Sequence, residues 1–523
     1  MLTSTGIRQD ALGPNGRKVL RREGKQILLL ASEDRVFAIA NRCPHEGYPL
    51  SEGTLGQGCI LTCNWHNWKF DLATGMALFG RDPVRTYPTA IQNGEIFVDL
   101  SDPPAEAQRE RAMLGLEAAL ADNDRQRMAR ETARLVHAGF DGKEAVVHAL
   151  RTRNERLEGG MTHAHAAAAD WLALADRATS VETSLAAVLE PLGHIAWDTE
   201  GANEFPYTDN VLPWRVDAFL AAIEAENEDA AVASVRGAVA DGLSYAELRP
   251  AFAEAALAHY ADFGHCAIYV FKTGQLIERL GEEVRETVLL SLTRMLARAT
   301  REERLPEFRG YSRALQSWDG SGTEVPRMES FVGQSIDGAM SAALASSGQP
   351  QRDQLDALLG AAAFNLLHFE TAFDSATANG IADNIGWLDF THALTFANAC
   401  RHLCTERPDL WPRAALQLAL FVGRNRKYVR HPQDTGMWRV ENHAAFIASE
   451  QDTLYDHGIV EPIISCHRLK VLFALEDELR ASPDSPWADD MCAAVNRYLH
   501  TPMKRHHGLR TAMQALEFTA KEA

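Results

Sequence analysis

Two different patterns of apolar and polar residues divide the chain near residue 100. Short apolar runs separated by polar turns are typical of β-strands joined by hairpins. In residues 17–100 such turns stand at Glu23-Gly24, Glu33-Asp34 and Asn93-Gly94. From about residue 111 the apolar residues recur at helical spacing, alanine is frequent and β-branched residues are few. The pattern predicts a multidomain protein, with a small all-β domain followed by a large all-α domain.

A polar stretch with paired prolines, SDPPAEAQRE, lies between the two patterns at residues 101–110 and is typical of a linker. We therefore predict a β domain over residues 1–100, a linker over 101–110 and a helical domain over 111–523. A chain of 523 residues is too long for one ordinary domain and suggests two to four, and the helical part is long enough for two subdomains.

Composition and charge narrow the range of partners and compartments. The net charge is −19, which argues against nucleic acid and anionic membranes as partners. The N-terminus has no apolar segment typical of a secretory signal, and the longest early apolar run, residues 27–31, is far too short for a membrane span. Eight cysteines scattered over the chain do not indicate a disulfide framework. We predict a cytoplasmic protein of undetermined oligomeric state.

Two short segments of the β domain each carry one cysteine and one histidine. Cys43-x-His45 is followed, after 17 intervening residues, by Cys63-x-x-His66. Two facing loops of this kind can supply two thiolates to one iron and two imidazoles to the other iron of a [2Fe–2S] cluster. Zn²⁺ is the alternative occupant of a Cys₂His₂ set, although zinc fingers usually separate the cysteine pair from the histidine pair.

The segments CPHEGYPLSEG and CNWHNWKFDLATG closely resemble the Rieske boxes of ring-hydroxylating oxygenases and their ferredoxins. The resemblance implies a [2Fe–2S] cluster held by Cys43, His45, Cys63 and His66, and reduction by an external NAD(P)H-dependent reductase or ferredoxin. Asn67 stands where the family usually has glycine, and asparagine tolerates the left-handed conformation well. Cysteines that pair across the loops are absent, which favours the low-potential group that serves oxygenases.

The helical part contains four helices that begin near a histidine, namely His163, His265, His392 and His467. Such residues can converge if their helices form one bundle. Lys470 follows His467 at i+3, on the same helix face. No two histidines are four or five residues apart, which excludes the HExxH motif and the two-histidine helix of standard Rieske oxygenases.

Scattered segments of residues 150–480 resemble the questin oxidase-like family of helical non-heme metal oxygenases, which act on fused-ring aromatic ketones. The resemblance implies that the four histidines bind a mononuclear Fe(II), with Lys470 as a carboxylated ligand and an aromatic or polyketide-like substrate. His165 competes with His163, which we prefer because MTH resembles FTH at His392. Lys470 and His402 are the candidate catalytic residues, and further candidates for a pocket are His194, Trp197, His368 and Glu370.

The sequence thus predicts an O₂-dependent oxygenase in which the cluster passes electrons to iron in the helical part, for hydroxylation or C–C cleavage. The absence of a Rossmann fingerprint or P-loop indicates that the reductase is a separate chain. Two alternatives stay open. The first is an electron-transfer or binding module with a metal-free helical docking domain, whose histidines are structural. The second is a metal-dependent hydrolase with a redox-sensing cluster.

Overall fold

The computed structural model describes residues 2–12, 16–32 and 35–522. The turn predicted at Glu33-Asp34 lies outside these residues. Contacts between residues divide the chain into two compact units. The first contains residues 1–115 with 137–139, and the second contains residues 116–136 with 140–523.

The first unit is built from short antiparallel strands. The strands are β1 Leu2–Arg8, β2 Arg17–Arg22, β3 Lys25–Ser32, β4 Arg35–Ala40, β5 Thr54–Leu55, β6 Ile60–Thr62, β7 Lys69–Asp71, β8 Ala77–Phe79, β9 Thr86–Tyr87, β10 Thr89–Gln92 and β11 Glu95–Asp99. They form three sheets, in the orders β1-β11-β10, β2-β3-β4-β9 and β5-β6-β7-β8. The predicted turns at Glu23-Gly24 and Asn93-Gly94 join β2 to β3 and β10 to β11.

The strand β3 is buried on both faces, which explains its unbroken apolar run. Leu28 and Leu30 point into a core that also contains Cys43 and Cys63, whereas Ile27 and Leu29 point into a second core. The two candidate thiols therefore belong to the packed interior of the unit.

The second unit is helical, as the sequence predicts. The helices are α1 Ala105–Ala121, α2 Arg125–His137, α3 Lys143–Arg153, α4 His163–Arg177, α5 Val181–Thr199, α6 Val216–Glu224, α7 Glu228–Ala240, α8 Tyr245–Ala256, α9 His265–Leu280, α10 Arg285–Ala297, α11 Gly310–Gln316, α12 Met328–Phe331, α13 Ile336–Ala345, α14 Gln351–Leu367, α15 Ala372–Ser375, α16 Leu388–Glu406, α17 Trp411–Asn425, α18 His443–Thr453, α19 Pro462–Ala481, α20 Ala488–His500 and α21 Gly508–Thr519. None of the helices in the described part of the chain combines the length and apolar character that crossing a membrane requires.

The stretch predicted as a linker differs from the prediction in its second half. Residues 101–104 are irregular, but α1 begins at Ala105, so residues 105–110 are helical. The pair Pro103-Pro104 directly precedes the helix, where proline is tolerated because the first amides of a helix need no intrahelical partner. The prolines mark a helix start here rather than an extended connection.

Candidate metal centres

The two cysteine-histidine segments of the first unit fold into loops with the same backbone hydrogen bonds. In the first loop the Gly47 amide donates to the Cys43 carbonyl at 2.8 Å, and the Cys43 amide donates to the Tyr48 carbonyl at 2.8 Å. In the second loop the Asn67 amide donates to the Cys63 carbonyl at 2.9 Å, and the Cys63 amide donates to the Trp68 carbonyl at 2.7 Å. Each loop thus reverses within five residues and keeps its cysteine and histidine on one side.

Gly47 and Asn67 occupy equivalent positions in these loops, and both are left-handed. Their φ angles are 76° and 62°. Asparagine adopts this region at low cost, as the sequence analysis predicts for Asn67. Its side-chain oxygen also accepts a hydrogen bond from Lys69 Nζ at 3.0 Å, which stabilises the turn. The residue that departs from the family pattern therefore preserves the loop.

The loops bring together two buried thiols, one exposed imidazole and one half-buried imidazole. Cys43 and Cys63 are buried, whereas His66 is exposed and His45 is half-buried. The Nδ1 atoms of the two histidines lie 3.2 Å apart. Burial raises the pKa of Cys43 to about 11, and the neighbouring Cys63 thiol acts in the same direction. Thiols that burial holds protonated become ligands when iron displaces their protons, so the donor set fits a [2Fe–2S] cluster.

Aromatic rings cover both imidazoles. The ring of Trp68 stacks on His45 at 4.8 Å between centroids, and that of Trp65 stacks on His66 at 4.9 Å. Trp65 itself is 55% exposed. The histidine side of the loops therefore presents an aromatic surface to the solvent.

In the second unit, four histidines from four helices meet in the interior. His163 of α4 and His265 of α9 approach to 2.9 Å between Nε2 atoms, and His265 and His392 of α16 also approach to 2.9 Å. The Nε2 atoms of His392 and His467 of α19 lie 3.1 Å apart. His163 and His265 are the first residues of their helices, whereas His392 and His467 are the fifth and sixth. All four residues selected from the sequence are brought together.

In three of the four histidines, the Nδ1 atom on the other side of the ring contacts a neighbouring group. His392 Nδ1 donates to the Leu388 carbonyl at 2.6 Å, and His467 Nδ1 donates to the Ile463 carbonyl at 2.5 Å, each four residues earlier. His163 Nδ1 lies 3.2 Å from the hydroxyl of Tyr269. Bonds of this kind fix the tautomer and leave the Nε2 lone pairs directed at a shared point.

Burial keeps three of these rings neutral. The pKa values of His163, His392 and His467 lie well below the ordinary value, chiefly because desolvation disfavours the cation and further because of nearby Lys470 or the other histidines. Neutral imidazole is the form that binds metal. Three of the rings, His163, His392 and His467, supply nitrogen atoms that all lie within 4.8 Å of one another.

Lys470 lies one turn after His467 and is 1% exposed. Its Nζ has no hydrogen-bond partner within the described residues, and burial lowers the pKa of the amine. A buried cation without a partner is strongly unfavourable, so this environment favours the neutral amine. Nearby, Lys272 donates to Asp170 at 2.6 Å, and the second carboxylate oxygen of Asp170 has no partner in the described part of the chain.

The structure separates the remaining histidine candidates from this cluster. His165 is fully buried, and its Nδ1 accepts a long hydrogen bond from the Thr162 amide at 3.5 Å. His402 lies ten residues after His392, about 15 Å along a helix. It bonds to Asp477 at 2.6 Å and stacks on Phe271 instead. The expectation that His402 lines the same cavity as the four histidines therefore finds no support in these contacts.

A cavity of about 660 Å³ reaches His163 from outside the cluster. His194 and Trp197, two of the four pocket candidates from the sequence, line it together with Thr162 and Asp198. The other two candidates, His368 and Glu370, are not among its lining residues. Sequence reasoning did not single out Thr162, Asp198 or Tyr269. Two sequence positions could have indicated these residues. Thr162 is the N-cap of α4, and Tyr269 lies one turn after His265.

Comparison with known families matches residues 7–88 to the Rieske [2Fe-2S] domain. The ferredoxin component of the naphthalene 1,2-dioxygenase system of Pseudomonas putida is 36% identical over 81 residues, which cover 15% of this chain and 77% of the relative. The ferredoxin subunit of the 3-phenylpropionate/cinnamic acid dioxygenase of Escherichia coli (strain K12) is 40% identical over 68 residues, covering 13% and 64%.

Among solved structures, the ferredoxin of carbazole 1,9a-dioxygenase from Nocardioides aromaticivorans IC177 is 27% identical with a TM-score of 0.18, covering 19% of this chain and 99% of that one. These matches concern the first unit. A Rieske domain implies a [2Fe–2S] cluster, and the geometry of the two loops fits this group. Through residues 7–88, this chain belongs to the Rieske [2Fe-2S] domain family.

Proposed function

We propose that this protein is an oxygenase in which a Rieske cluster passes electrons to a non-heme iron in the helical unit, for O₂-dependent oxidation of an aromatic or polyketide-like small molecule. The observation that carries the proposal is the series of four histidine Nε2 atoms spaced 2.9 to 3.1 Å apart in the helical unit, on the same chain as the Rieske domain. Four imidazoles that face one another through their Nε2 atoms at these distances, three of them kept neutral by desolvation, are better explained by a metal site than by a structural role.

Cys43 and Cys63 are the proposed ligands of one iron of the cluster, and His45 and His66 those of the other. The cluster supplies one electron at a time. The chain contributes buried thiols that keep one side of the cluster dry and half-buried or exposed imidazoles that leave the other side accessible. An external NAD(P)H-dependent reductase or ferredoxin is the proposed electron donor. The relatives described above are themselves ferredoxins of aromatic dioxygenase systems, which favours a donor of this kind.

His163, His265, His392 and His467 are the proposed ligands of the second iron. Mononuclear iron of this type supplies O₂ activation when bound. Hydroxylation of a C–H bond consumes one O₂, two electrons and two protons, and releases one water with the hydroxylated product. The chain's part is to hold the imidazoles of His392, His467 and His163 in place through Leu388, Ile463 and Tyr269, respectively, and to limit the access of bulk water to the rings.

Lys470 is the proposed fifth protein ligand, after carboxylation. Its neutral amine adds to CO₂ to form a carbamate with release of one proton, which converts a nitrogen base into an anionic oxygen donor. The proposal is supported by the complete burial of Lys470 and by its unpartnered Nζ one turn from His467. A carbamate bound to metal would satisfy both conditions, whereas an ammonium ion in this position would be a buried charge without a partner.

Iron analysis of protein purified without oxygen tests the second site. We expect about three irons per chain, two in the cluster and one in the helical unit. The double variant His265→Ala/His392→Ala should retain about two irons and the visible spectrum of the cluster. The matched control His137→Ala changes an exposed histidine and should retain about three. About two irons in the natural protein would rule out the second site and favour the electron-transfer module.

Isotope labelling separates the oxygenase from the hydrolase. With ¹⁸O₂ and a chemical or enzymatic reductant, an oxygenase product carries ¹⁸O from O₂, and oxygen uptake requires the reductant. A product labelled only from H₂¹⁸O, formed without oxygen uptake, would contradict the proposal and support the hydrolase.

A further inference from the structure

The cavity beside His163 is formed by the starts of two metal-site helices and the end of a third helix. Thr162 and His163 begin α4, Pro462 and Ile463 begin α19, and Trp197 lies in the last turn of α5. The cavity has a volume of about 660 Å³, within the range of small-molecule sites. Because His163 lines it, a molecule held here lies next to the histidine cluster. The other four cavities described on this chain are lined by none of the four histidines.

The inner wall of this cavity is polar, and one of its buried nitrogen atoms has no hydrogen-bond partner within the described residues. His194 is 3% exposed, and its Nδ1 has no hydrogen-bond partner within the described residues. Asp198, one turn later, accepts a hydrogen bond from the Thr162 hydroxyl at 2.6 Å through Oδ2, while its Oδ1 lies 3.8 Å from His194 Nε2. A buried ring nitrogen without a partner costs free energy unless a bound molecule or water completes it. The wall thus offers the carboxylate oxygens of Asp198 and the Nδ1 atom of His194 to a polar group on a ligand.

The outer wall is aromatic and apolar. Trp197 lines the cavity yet is 51% exposed, an unusual position for the largest apolar side chain. Pro462 and Ile463 provide aliphatic surface on another wall. A half-exposed indole at a cavity wall offers a flat face on which a planar ring can stack.

We propose that this cavity is the substrate site of the helical unit, and that it binds an uncharged aromatic ring carrying a hydroxyl group. The ring stacks on Trp197, and the hydroxyl donates to the carboxylate of Asp198. Asp198 and Glu461 line the cavity, and since its other ionisable lining residues are histidines (His163, His194 and His506), the two carboxylates disfavour a substrate with a carboxylate of its own. The identification as a substrate site rests on the oxygenase function proposed above, whereas ligand binding in the cavity can be measured without it.

Isothermal titration of the full-length protein with 2-naphthol tests the site, because the probe combines a planar ring with one hydroxyl. We expect saturable binding with one site per chain. We expect 2-naphthoate, which replaces the hydroxyl with a carboxylate, to bind at least about tenfold more weakly because of the two acidic side chains. Equal affinities for the two probes would overturn the assignment of the hydroxyl to Asp198.

Two variants address the two walls. Trp197→Ala should weaken binding of 2-naphthol by about fivefold through loss of ring stacking. Asp198→Asn should weaken it by about tenfold through loss of a charged hydrogen-bond acceptor. The controls Trp318→Ala and Asp209→Asn change the same residue types away from this cavity, and should bind as the natural protein does. If both cavity variants retain full affinity, or if 2-naphthol does not bind, the inference is wrong.

Iron content measured on the same samples keeps this inference separate from the proposed function. Binding that depends on Trp197 and Asp198 in a protein with only about two irons per chain would support the ligand site and contradict the oxygenase. About three irons without binding of 2-naphthol would support the oxygenase and overturn the ligand site. Neither variant changes a proposed metal ligand, so both should retain the iron content of the natural protein.

Discussion

The two candidate metal centres of this chain are assembled in opposite ways. The proposed Rieske ligands come from two short loops between residues 43 and 66, and backbone hydrogen bonds inside each loop shape them. The four histidines of the helical centre come from four helices between residues 163 and 467, and helix packing brings them together. The first centre has one exposed and one half-buried imidazole, whereas the second buries three of its four imidazoles and leaves His163 half-buried.

The difference matches what each centre is proposed to do. Exposed imidazoles flanked by tryptophan let a partner protein approach the electron-transfer group closely. Buried imidazoles hold their metal away from bulk water, and the cavity at His163 reaches them. Because the two centres depend on different parts of the fold, each should be removable without loss of the other.

The largest effect that we expect comes from Cys63→Ser. Loss of a buried thiolate ligand should abolish the cluster and its visible absorbance, and lower activity with the external reductase at least about a hundredfold, while about one iron per chain stays in the helical unit. Cys59→Ser, which changes a buried thiol four residues earlier, is the matched control and should keep the colour. Loss of all iron from the Cys63 variant would show that the centres are interdependent.

Lys470→Met tests whether Lys470 is a metal ligand of the helical centre. If Lys470 is a ligand, the affinity of the variant for the helical iron should fall by about 10- to 100-fold, as measured by competition with a chelator. The cluster spectrum should stay unchanged. If the amine has only a structural role, replacing an unpartnered buried amine with an apolar chain should raise stability and leave the iron in place. The second result would remove Lys470 from the site.

Asn67→Ala addresses the local construction of the Rieske loops. Alanine at φ 62° should destabilise the β domain by about 1–2 kcal/mol, because a Cβ group without a compensating polar contact is unfavourable in the left-handed region. Asn67→Gly should differ from the natural protein by less than about 1 kcal/mol. The measurement is bleaching of the cluster against urea concentration. An equal effect of both substitutions would indicate that the hydrogen bond to Lys69, rather than φ, stabilises the loop.

The smallest effect concerns His259, a histidine of the helical unit outside the metal site. Hydrogen bonds to Glu303 and then Glu224 raise the pKa of its imidazole, the reverse of the shift in three of the clustered histidines, His163, His392 and His467. Since the folded-state pKa exceeds the unfolded value near 6.5, this stabilisation is complete below about pH 6.5 and is lost as the pH rises through the folded value. His259→Gln should therefore lower the free energy of unfolding below pH 6.5 by up to about 1 kcal/mol, and less at pH 8.5.

Urea titrations of the two proteins between pH 5.5 and 8.5 measure this difference. The buried histidines act in the opposite direction, because unfolding lets them take up protons at low pH. The two groups of histidines thus contribute pH dependences of opposite sign. A difference between the two proteins that grows with pH would contradict the assignment to His259.

The sequence predicted the local centre more completely than the dispersed one. Cys43, His45, Cys63 and His66 could be selected because each short segment pairs one cysteine with one histidine, and because the flanking residues resemble the Rieske boxes. The four helical histidines could be selected because each lies near a helix start, but their mutual distances depend on packing that no local pattern contains. His402 shows the limit of the helical wheel, since its angle suited the site while its distance along α16 did not.

Two further features were not predictable from local patterns. The strand β1 pairs with β11, which follows it by almost 90 residues, and LTSTGIR has too weak an alternation to indicate a strand. Asp198 reaches the cavity only because α5 packs against α4. In each case the deciding contact joins elements whose proximity is set by the tertiary fold.

The separation of the four histidines along the chain has a consequence for how the helical unit holds together. Successive members are 102, 127 and 75 residues apart. Closing a loop of about a hundred residues costs an unfolded chain about 4 kcal/mol in entropy. An ion bound by all four closes three such loops at once, and it can bind tightly only after the helices have docked. The ion would therefore bind last during folding and slow unfolding. Loss of the ion would loosen the packing of the helical unit long before the helices themselves unfold.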